Sequence, residues 1–364
     1  MQDVILSELK MVQFKNHDQA EFEFSPKLNA LVGSNGSGKT TVLDAIHVLC
    51  MTRSYFYHVD SHNIQFDAPF FVLEGTFQSK EGDTHVYCGL KRGERKVFKA
   101  DDSEYQKFSE HLGRFPVVMI SPSDRNLLTD GAEARRKFVD QVIAQSNKDY
   151  LNALIKYTKA LAQRNALLKY FAANRTFDPE MLRLYDDQMA ESAPIIHDAR
   201  RRFVEEFVPL LQQNYEWISN GSEPVDLHYR SALNELDMRS ALEAALDKDR
   251  VMQHTTVGPH RDDFKFLLHG YPLVRVGSQG QQKSYLVALK LATFDALTKT
   301  IGGKPILLLD DVFDKLDASR VEGLIRLVNE HHFGQIFISD THRERTEHLV
   351  KAVNEEAKVF ELGE

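Results

Sequence analysis

Gly33-Ser34-Asn35-Gly36-Ser37-Gly38-Lys39-Thr40 is the stretch whose reading decides the fold. The apolar run Leu28-Asn29-Ala30-Leu31-Val32 precedes it, and Thr41-Val42-Leu43-Asp44-Ala45-Ile46 follows. A buried strand, a glycine-rich turn and a helix start are the context in which GxxxxGK[ST] reads as a phosphate-binding loop. Its glycines let the backbone curl around a polyphosphate without Cβ clashes. The helix start aims free N–H groups and a partial positive charge at the same point. Residues Gly33, Ser34, Asn35, Gly36, Ser37, Gly38, Lys39, Thr40 and Thr41 are therefore the candidate nucleotide cradle. Lys39 is expected to reach the β- and γ-phosphates, and the Thr40 hydroxyl to hold Mg²⁺.

Moving outward, Ile306-Leu307-Leu308-Leu309-Asp310-Asp311 supplies the partner motif. A buried strand delivers Asp310 at its C-terminal end, where doubly wound sheets bind ligands. Asp310 is expected to hold Mg²⁺, directly or through water, and Asp311 to orient or activate the attacking water. An apolar strand ending in two aspartates is a weak signal alone and a strong one beside the phosphate loop. Between the two motifs lies Ser278-Gln279-Gly280-Gln281-Gln282-Lys283, with Ser278 a good cap for a long helix ending at Gly302-Gly303. Asn147-Lys148-Asp149-Tyr150 falls short of a guanine-binding NKxD motif, so adenine is the expected base.

The 364 residues suggest about two domains. Apolar content of 42% and charged content of 27% suit a soluble globular protein. No apolar run is long enough to span a bilayer, and the N-terminal residues lack a basic-then-apolar leader. Two cysteines without metal-ligand spacing exclude a disulfide framework or zinc site and fit a reducing cytoplasm. The net charge of −8 opposes nucleic-acid binding, although a local basic face is compatible with it. Two clusters are candidates for such a face: Lys91-Arg92-Gly93-Glu94-Arg95-Lys96-Val97-Phe98-Lys99 and Arg200-Arg201-Arg202.

The first third alternates like paired strands at Val4 to Phe14, Ala20 to Phe24, Phe70 to Phe77, His85 to Leu90 and Lys96 to Lys99. Pro116 to Ile120 and Gln335 to Ser339 read as buried strands. From about Glu133 to Leu246 glycine nearly vanishes and apolar residues recur at three- and four-residue spacing, the texture of packed helices. Asp178-Pro179-Glu180 opens one of them, and Pro194 is a candidate kink. The expected division is residues 1–124 with 253–364 as one lobe and 125–252 as a helical subdomain, too short for a coiled-coil arm.

The order of phosphate loop, Ser-x-Gly-Gln and aspartate-terminated strand resembles the ATP-binding-cassette (ABC) ATPases. The short helical insert is similar to SMC/Rad50-type heads without the long arm. Arg53-Ser54-Tyr55-Phe56, Ile120-Ser121-Pro122-Ser123-Asp124, Gly131 to Asp140 and Thr256-Val257-Gly258-Pro259-His260-Arg261-Asp262-Asp263 narrow the resemblance to the RecF family, end to end. It implies an α/β fold: an ABC-type ATPase head with an antiparallel β subdomain and an inserted α-helical subdomain.

The resemblance further implies a signature, Ser278, Gln279, Gly280 and Gln281, that touches ATP held by an opposing subunit. The complete site would then exist only in an ATP-dependent head-to-tail homodimer. Leu316 and Asp317 resemble the D-loop. Ser121 to Asp124 occupies the glutamine-loop position without a glutamine. Asp340 sits nearer than His342 to the expected histidine position. Implied partners are double-stranded or gapped DNA, RecR and RecO, in gap repair and the SOS response. Lys91, Arg92, Arg200 and Arg201 are candidate DNA contacts, and ATP turnover is expected to be slow and switch-like. The Gly258–Asp263 turn identifies the family and carries no assigned chemistry; its plainest reading pairs Arg261 with Asp262 or Asp263. The competing classes are a transporter ATPase subunit and a monomeric small-molecule ATPase or kinase.

Overall fold

The computed structural model describes residues 3–219, 221, 223–311, 333–344, 346, 350 and 356–363. The chain divides into two compact units. One comprises Met1–Arg125, Asn214–Gly221 and Lys283–Glu364; the other comprises Asn126–Gln213 and Ser222–Gln282. In chain order the elements are β1 (Ile5–Phe14), β2 (His17–Glu23), β3 (Leu28–Gly33), α1 (Lys39–Met51), β4 (Phe70–Ser79), β5 (Gly82–Lys91), β6 (Val97–Ala100), β7 (Ser103–Glu104) and β8 (Val117–Ile120). Then come α2 (Asn126–Thr129), α3 (Gly131–Ser146), α4 (Lys148–Asn174), α5 (Pro179–Ser219), β9 (Val225–Arg230), α6 (Met238–Met252), β10 (Asp263–Leu268), β11 (Tyr271–Pro272) and α7 (Leu273–Val276). The chain finishes with α8 (Gln279–Ile301), β12 (Ile306–Leu309), β13 (Ile336–Asp340) and β14 (Ala357–Leu362).

In the first unit an antiparallel sheet runs β2-β1-β4-β5-β6-β7, and a parallel sheet runs β14-β3-β13-β12-β8. The parallel strands are short apolar runs because both their faces are covered. Ile306, Leu307, Leu308 and Leu309 have no exposed surface at all. Each such side chain contributes about 1.5–3 kcal/mol of apolar burial. Register then sets function: Leu309 pairs with Ile120, Ile338 with Ala30, and Asp340 with Val32. The strands therefore end together, bringing Gly33, Asp310, Asp340 and Ser121 to the carboxyl edge, where such sheets hold ligands. Helix α1 is buried along nearly its whole length and packs on strands of both sheets.

The second unit departs from the sequence expectation. Its helices α3, α4, α5 and α6 are joined by a three-stranded sheet, β11-β10-β9, whose strand β9 lies inside what reads as an all-helical insert. Residues 253–282, expected in the first lobe, belong to this unit because β10 pairs with β9 from Asp263–Arg230 to Leu268–Val225. β9 and β10 complete each other across a long stretch of sequence, so local periodicity undercounts them. Helix α5 runs for 41 residues with Pro194 and Pro209 inside it, so Pro194, the candidate kink, does not interrupt the helix. Asp178 Oδ1 caps it, accepting from the Glu180 N–H at 2.9 Å. Asn147, in the rejected guanine motif, caps α4 through the Tyr150 N–H at 2.9 Å.

Candidate functional site

The phosphate loop closes over a cavity of about 950 Å³ lined by residues including Asn16, Gly36, Lys39, Thr40, Thr41, Tyr57 and Asp311. Gly38 caps α1 at φ 98°, a backbone that favours glycine, and a Cβ there would lie 2.1 Å from His17 Nε2 and displace that ring. His17 Nε2 lies 3.2 Å from the Gly38 carbonyl, and Asn16 Nδ2 donates to the Gly36 carbonyl at 3.0 Å. Thr41 Oγ1 donates to Asn16 Oδ1 at 2.6 Å. The β1–β2 turn thus braces the loop. Sequence reasoning missed Asn16 and His17, since nothing in a polar turn marks what it will meet in space.

Lys39 is only 4% exposed, and its Nζ donates to the Gly33 and Ser34 carbonyls, both at 2.8 Å. The ammonium is stored inside the loop, within reach of a phosphate entering it. Ser37 Oγ is buried and has no hydrogen-bond partner among the described residues, an orphan donor in a cradle built for anions. Opposite, Thr40 Oγ1 donates to Asp310 Oδ1 at 2.8 Å, and Ser339 Oγ donates to the same oxygen at 2.9 Å. Ser121 Oγ donates to Asp310 Oδ2 at 3.2 Å. Burial pushes the Asp310 carboxyl above its ordinary pKa, and these hydroxyls and Lys39 oppose that rise. A divalent cation would oppose it further. Among the described residues no three acidic, histidine or cysteine side chains converge as a self-sufficient metal cage. A hydroxyl beside one carboxylate is the oxygen donor set that suits Mg²⁺ shared with nucleotide phosphates. Asp311 follows at φ 45°, its N–H donating to Ser339 Oγ at 2.9 Å.

Ser278 behaves as expected of a cap. Its Oγ accepts from the Gln281 N–H at 3.2 Å, and Gln281 Oε1 accepts from the Ser278 N–H at 2.8 Å. A Cβ at Gly280 would meet nothing nearer than Ser278 Oγ at 3.9 Å, so packing within the chain does not demand glycine there. Leu316 and Asp317 lie outside the described residues. Asp340 is buried and accepts from the His342 N–H at 3.0 Å, while His342 itself is exposed.

The proposed DNA contacts separate. Arg200 is 1% exposed and salt-bridged to Asp140 and Asp262, both at 2.8 Å, so it is a core residue and not a DNA contact. The sequence gives no sign of this because its carboxylates come from α3 and from the turn before β10. Arg201 is on the surface, paired with Glu205 at 3.1 Å, and Lys91 pairs with Glu94 at 2.6 Å. Arg92 donates to the Ala68 carbonyl at 2.8 Å and lines the phosphate-loop cavity. The Gly258–Asp263 turn also reads differently in space. Asp262 holds Arg200, Asp263 holds Arg135 at 2.9 Å, and Arg261 contacts His254 Nε2 at 3.1 Å rather than either aspartate.

Residues 5–361 match the family model of the RecF/RecN/SMC N-terminal domain. The chain is 46% identical to the DNA replication and repair protein RecF of Flavobacterium johnsoniae, over 98% of this chain and 99% of that one. Against the protein of the same name from Bacteroides thetaiotaomicron, identity is 43% over 99% and 97%. The chain belongs to the RecF family. A solved structure of the recombination mediator RecF with ATP matches at TM-score 0.89 and 30% identity, covering 99% of this chain and 96% of that one. The Smc head domain of Pyrococcus furiosus, at TM-score 0.55 and 15% identity, shares the fold alone. The expected fold, an ABC/SMC-type ATPase head of RecF type, therefore holds, and ATP is the nucleotide bound by a close structural relative. These relatives do not favour the transporter alternative, and no helix among the described residues is long and apolar enough to cross a membrane.

Proposed function

We propose that this RecF-family chain is an ATP-gated DNA-binding protein of recombinational gap repair, acting in the cytoplasm. The observation that carries the reading is the junction of Thr40 with Asp310, beside a loop holding Lys39 in reserve. When bound, Mg²⁺ would screen the phosphate charge and polarise the bond to the γ-phosphate. Thr40 and Asp310 would hold it. Lys39 would exchange the Gly33 and Ser34 carbonyls for phosphate oxygens, and loop N–H groups would bind the rest. Asp311 would orient the attacking water and accept its proton.

Ser278 and Gly280 would offer the start of α8 to ATP held by a second copy of the chain. The open face at Gly280 supports that close approach. Closure of the dimer would gather basic side chains on double-stranded or gapped DNA, with Lys91, Arg92 and Arg201 as candidates. Hydrolysis, slow and switch-like, would release it. RecR and RecO, implied by the family, would be the partners that load recombinase.

The test is fluorescence anisotropy of a labelled gapped duplex, with and without ATP and Mg²⁺. The expected result is ATP-dependent binding that weakens steeply with salt, because phosphate contacts release counterions. Ser278→Arg should retain ATP binding and lose the ATP-dependent gain. Equal binding with and without ATP would overturn the gated reading.

A further inference from the structure

Where a glutamine loop was expected, the chain after β8 reads Ser121-Pro122-Ser123-Asp124. The two oxygens of Asp310 are held separately. Thr40 and Ser339 donate to Oδ1, and Ser121 donates to Oδ2. Freed of Ser121, the carboxylate could turn about the axis that the other two hydroxyls leave open.

Ser121 is itself fixed in place. Its N–H donates to Asp124 Oδ2 at 2.8 Å, and the Asp124 N–H donates back to the Ser121 carbonyl at 3.0 Å. Ser123 Oγ donates to Ser121 Oγ at 3.2 Å, leaving the Ser121 proton for Asp310. Asp124 is buried and salt-bridged to Lys290 on α8 at 2.8 Å, and the Tyr55 hydroxyl also donates to it. Lys290 Nζ lies 2.7 Å from the Tyr55 hydroxyl, and the Tyr55 N–H donates to Asp44 Oδ1 on α1 at 2.7 Å. Buried ion pairs are poor sources of net stability, since desolvation offsets their attraction. What this one supplies is a fixed geometry for a four-residue turn at the end of β8.

We infer that Ser121 is a positioning residue of the Mg²⁺ site, orienting Asp310 through its second oxygen on a turn locked by Asp124, Lys290 and Tyr55. The inference deepens the ATP-dependent reading and rests on it. An outer hydrogen-bond partner of a metal ligand tunes metal affinity without touching the nucleotide. Removing it should therefore change the requirement for Mg²⁺ and not the affinity for metal-free ATP.

The experiment titrates a fluorescent ATP analogue into full-length parent, Ser121→Ala and Ser121→Thr, across a Mg²⁺ series and in EDTA. Ser121→Ala should need about tenfold more Mg²⁺ for half-maximal effect, by the usual weight of such outer partners. Its affinity in EDTA should match the parent, and Ser121→Thr should restore the Mg²⁺ requirement. A parental Mg²⁺ requirement in a folded Ser121→Ala protein overturns the inference while leaving the functional reading intact. A parent that binds the analogue equally with Mg²⁺ and with EDTA overturns both.

Discussion

Arg200→Met separates two roles for one residue. As a DNA contact, Arg200 would be dispensable for folding. In the structure its Nε donates to Asp140 Oδ1 at 3.2 Å and to the Tyr150 hydroxyl at 3.1 Å. Its Nη1 donates to the Pro259 carbonyl at 2.7 Å and to Asp262 Oδ2 at 2.8 Å, and its Nη2 donates to Asp140 Oδ1 at 2.8 Å. Methionine fills much of the volume and makes none of these bonds. Asp262, 2% exposed, would keep the Tyr229 hydroxyl at 2.6 Å but lose its cation. Charge-assisted bonds contribute about 1.5–3 kcal/mol each but act on shared groups, so they do not add. The better guide is the cost of leaving buried carboxylates uncompensated, about 3–5 kcal/mol. For a unit of this size, that loss lowers the melting temperature by roughly 10 °C.

The assay is thermal and urea unfolding of Arg200→Met, with DNA affinity measured over a salt series on the folded fraction. The expected outcome is a large fall in stability and an unchanged salt slope. Arg200→Met/Asp262→Asn, which removes a charge along with its partner, should recover part of the loss. Parental stability combined with a salt slope reduced by about one phosphate contact would refute the structural assignment.

Lys39→Met removes the ammonium held by Gly33 and Ser34. A loss of about 3 kcal/mol in phosphate contacts would weaken ATP about 100-fold by equilibrium titration, and near-parental affinity would count against the cradle. Asp311→Asn should bind ATP normally and slow single-turnover hydrolysis about 10²- to 10⁴-fold, the usual share of a general base; undiminished turnover would remove Asp311 from that role. His47 is buried, its pKa lowered to about 4 chiefly by desolvation, so the unfolded chain takes up a proton that the fold refuses. Its contribution is complete above the ordinary value of about 6.5 and is lost as pH falls toward 4, roughly 2 kcal/mol by pH 5. A His47→Gln protein with the same pH dependence of the urea midpoint as its parent would contradict this.

The sequence by itself determined the local elements of the candidate nucleotide site. A glycine-rich turn between strand and helix, and an apolar strand ending in Asp310, are local patterns whose geometry follows from backbone sterics and burial. Helix caps such as Ser278 and Asp178 were legible for the same reason, since a cap bonds within a few residues of itself. Tertiary structure decided whatever depends on partners far along the chain. Arg200 stands in the same cluster as the exposed Arg201 and differs only in meeting Asp140 and Asp262, 60 and 62 residues away. The strand β9 exists because β10 pairs with it, and the phosphate loop is braced by the β1–β2 turn at Asn16 and His17. The proposed Mg²⁺ site draws Thr40, Ser121, Asp310 and Ser339 together only because parallel strands from four parts of the chain end at one edge. Local propensity writes the motif, and long-range register decides which polar groups surround it.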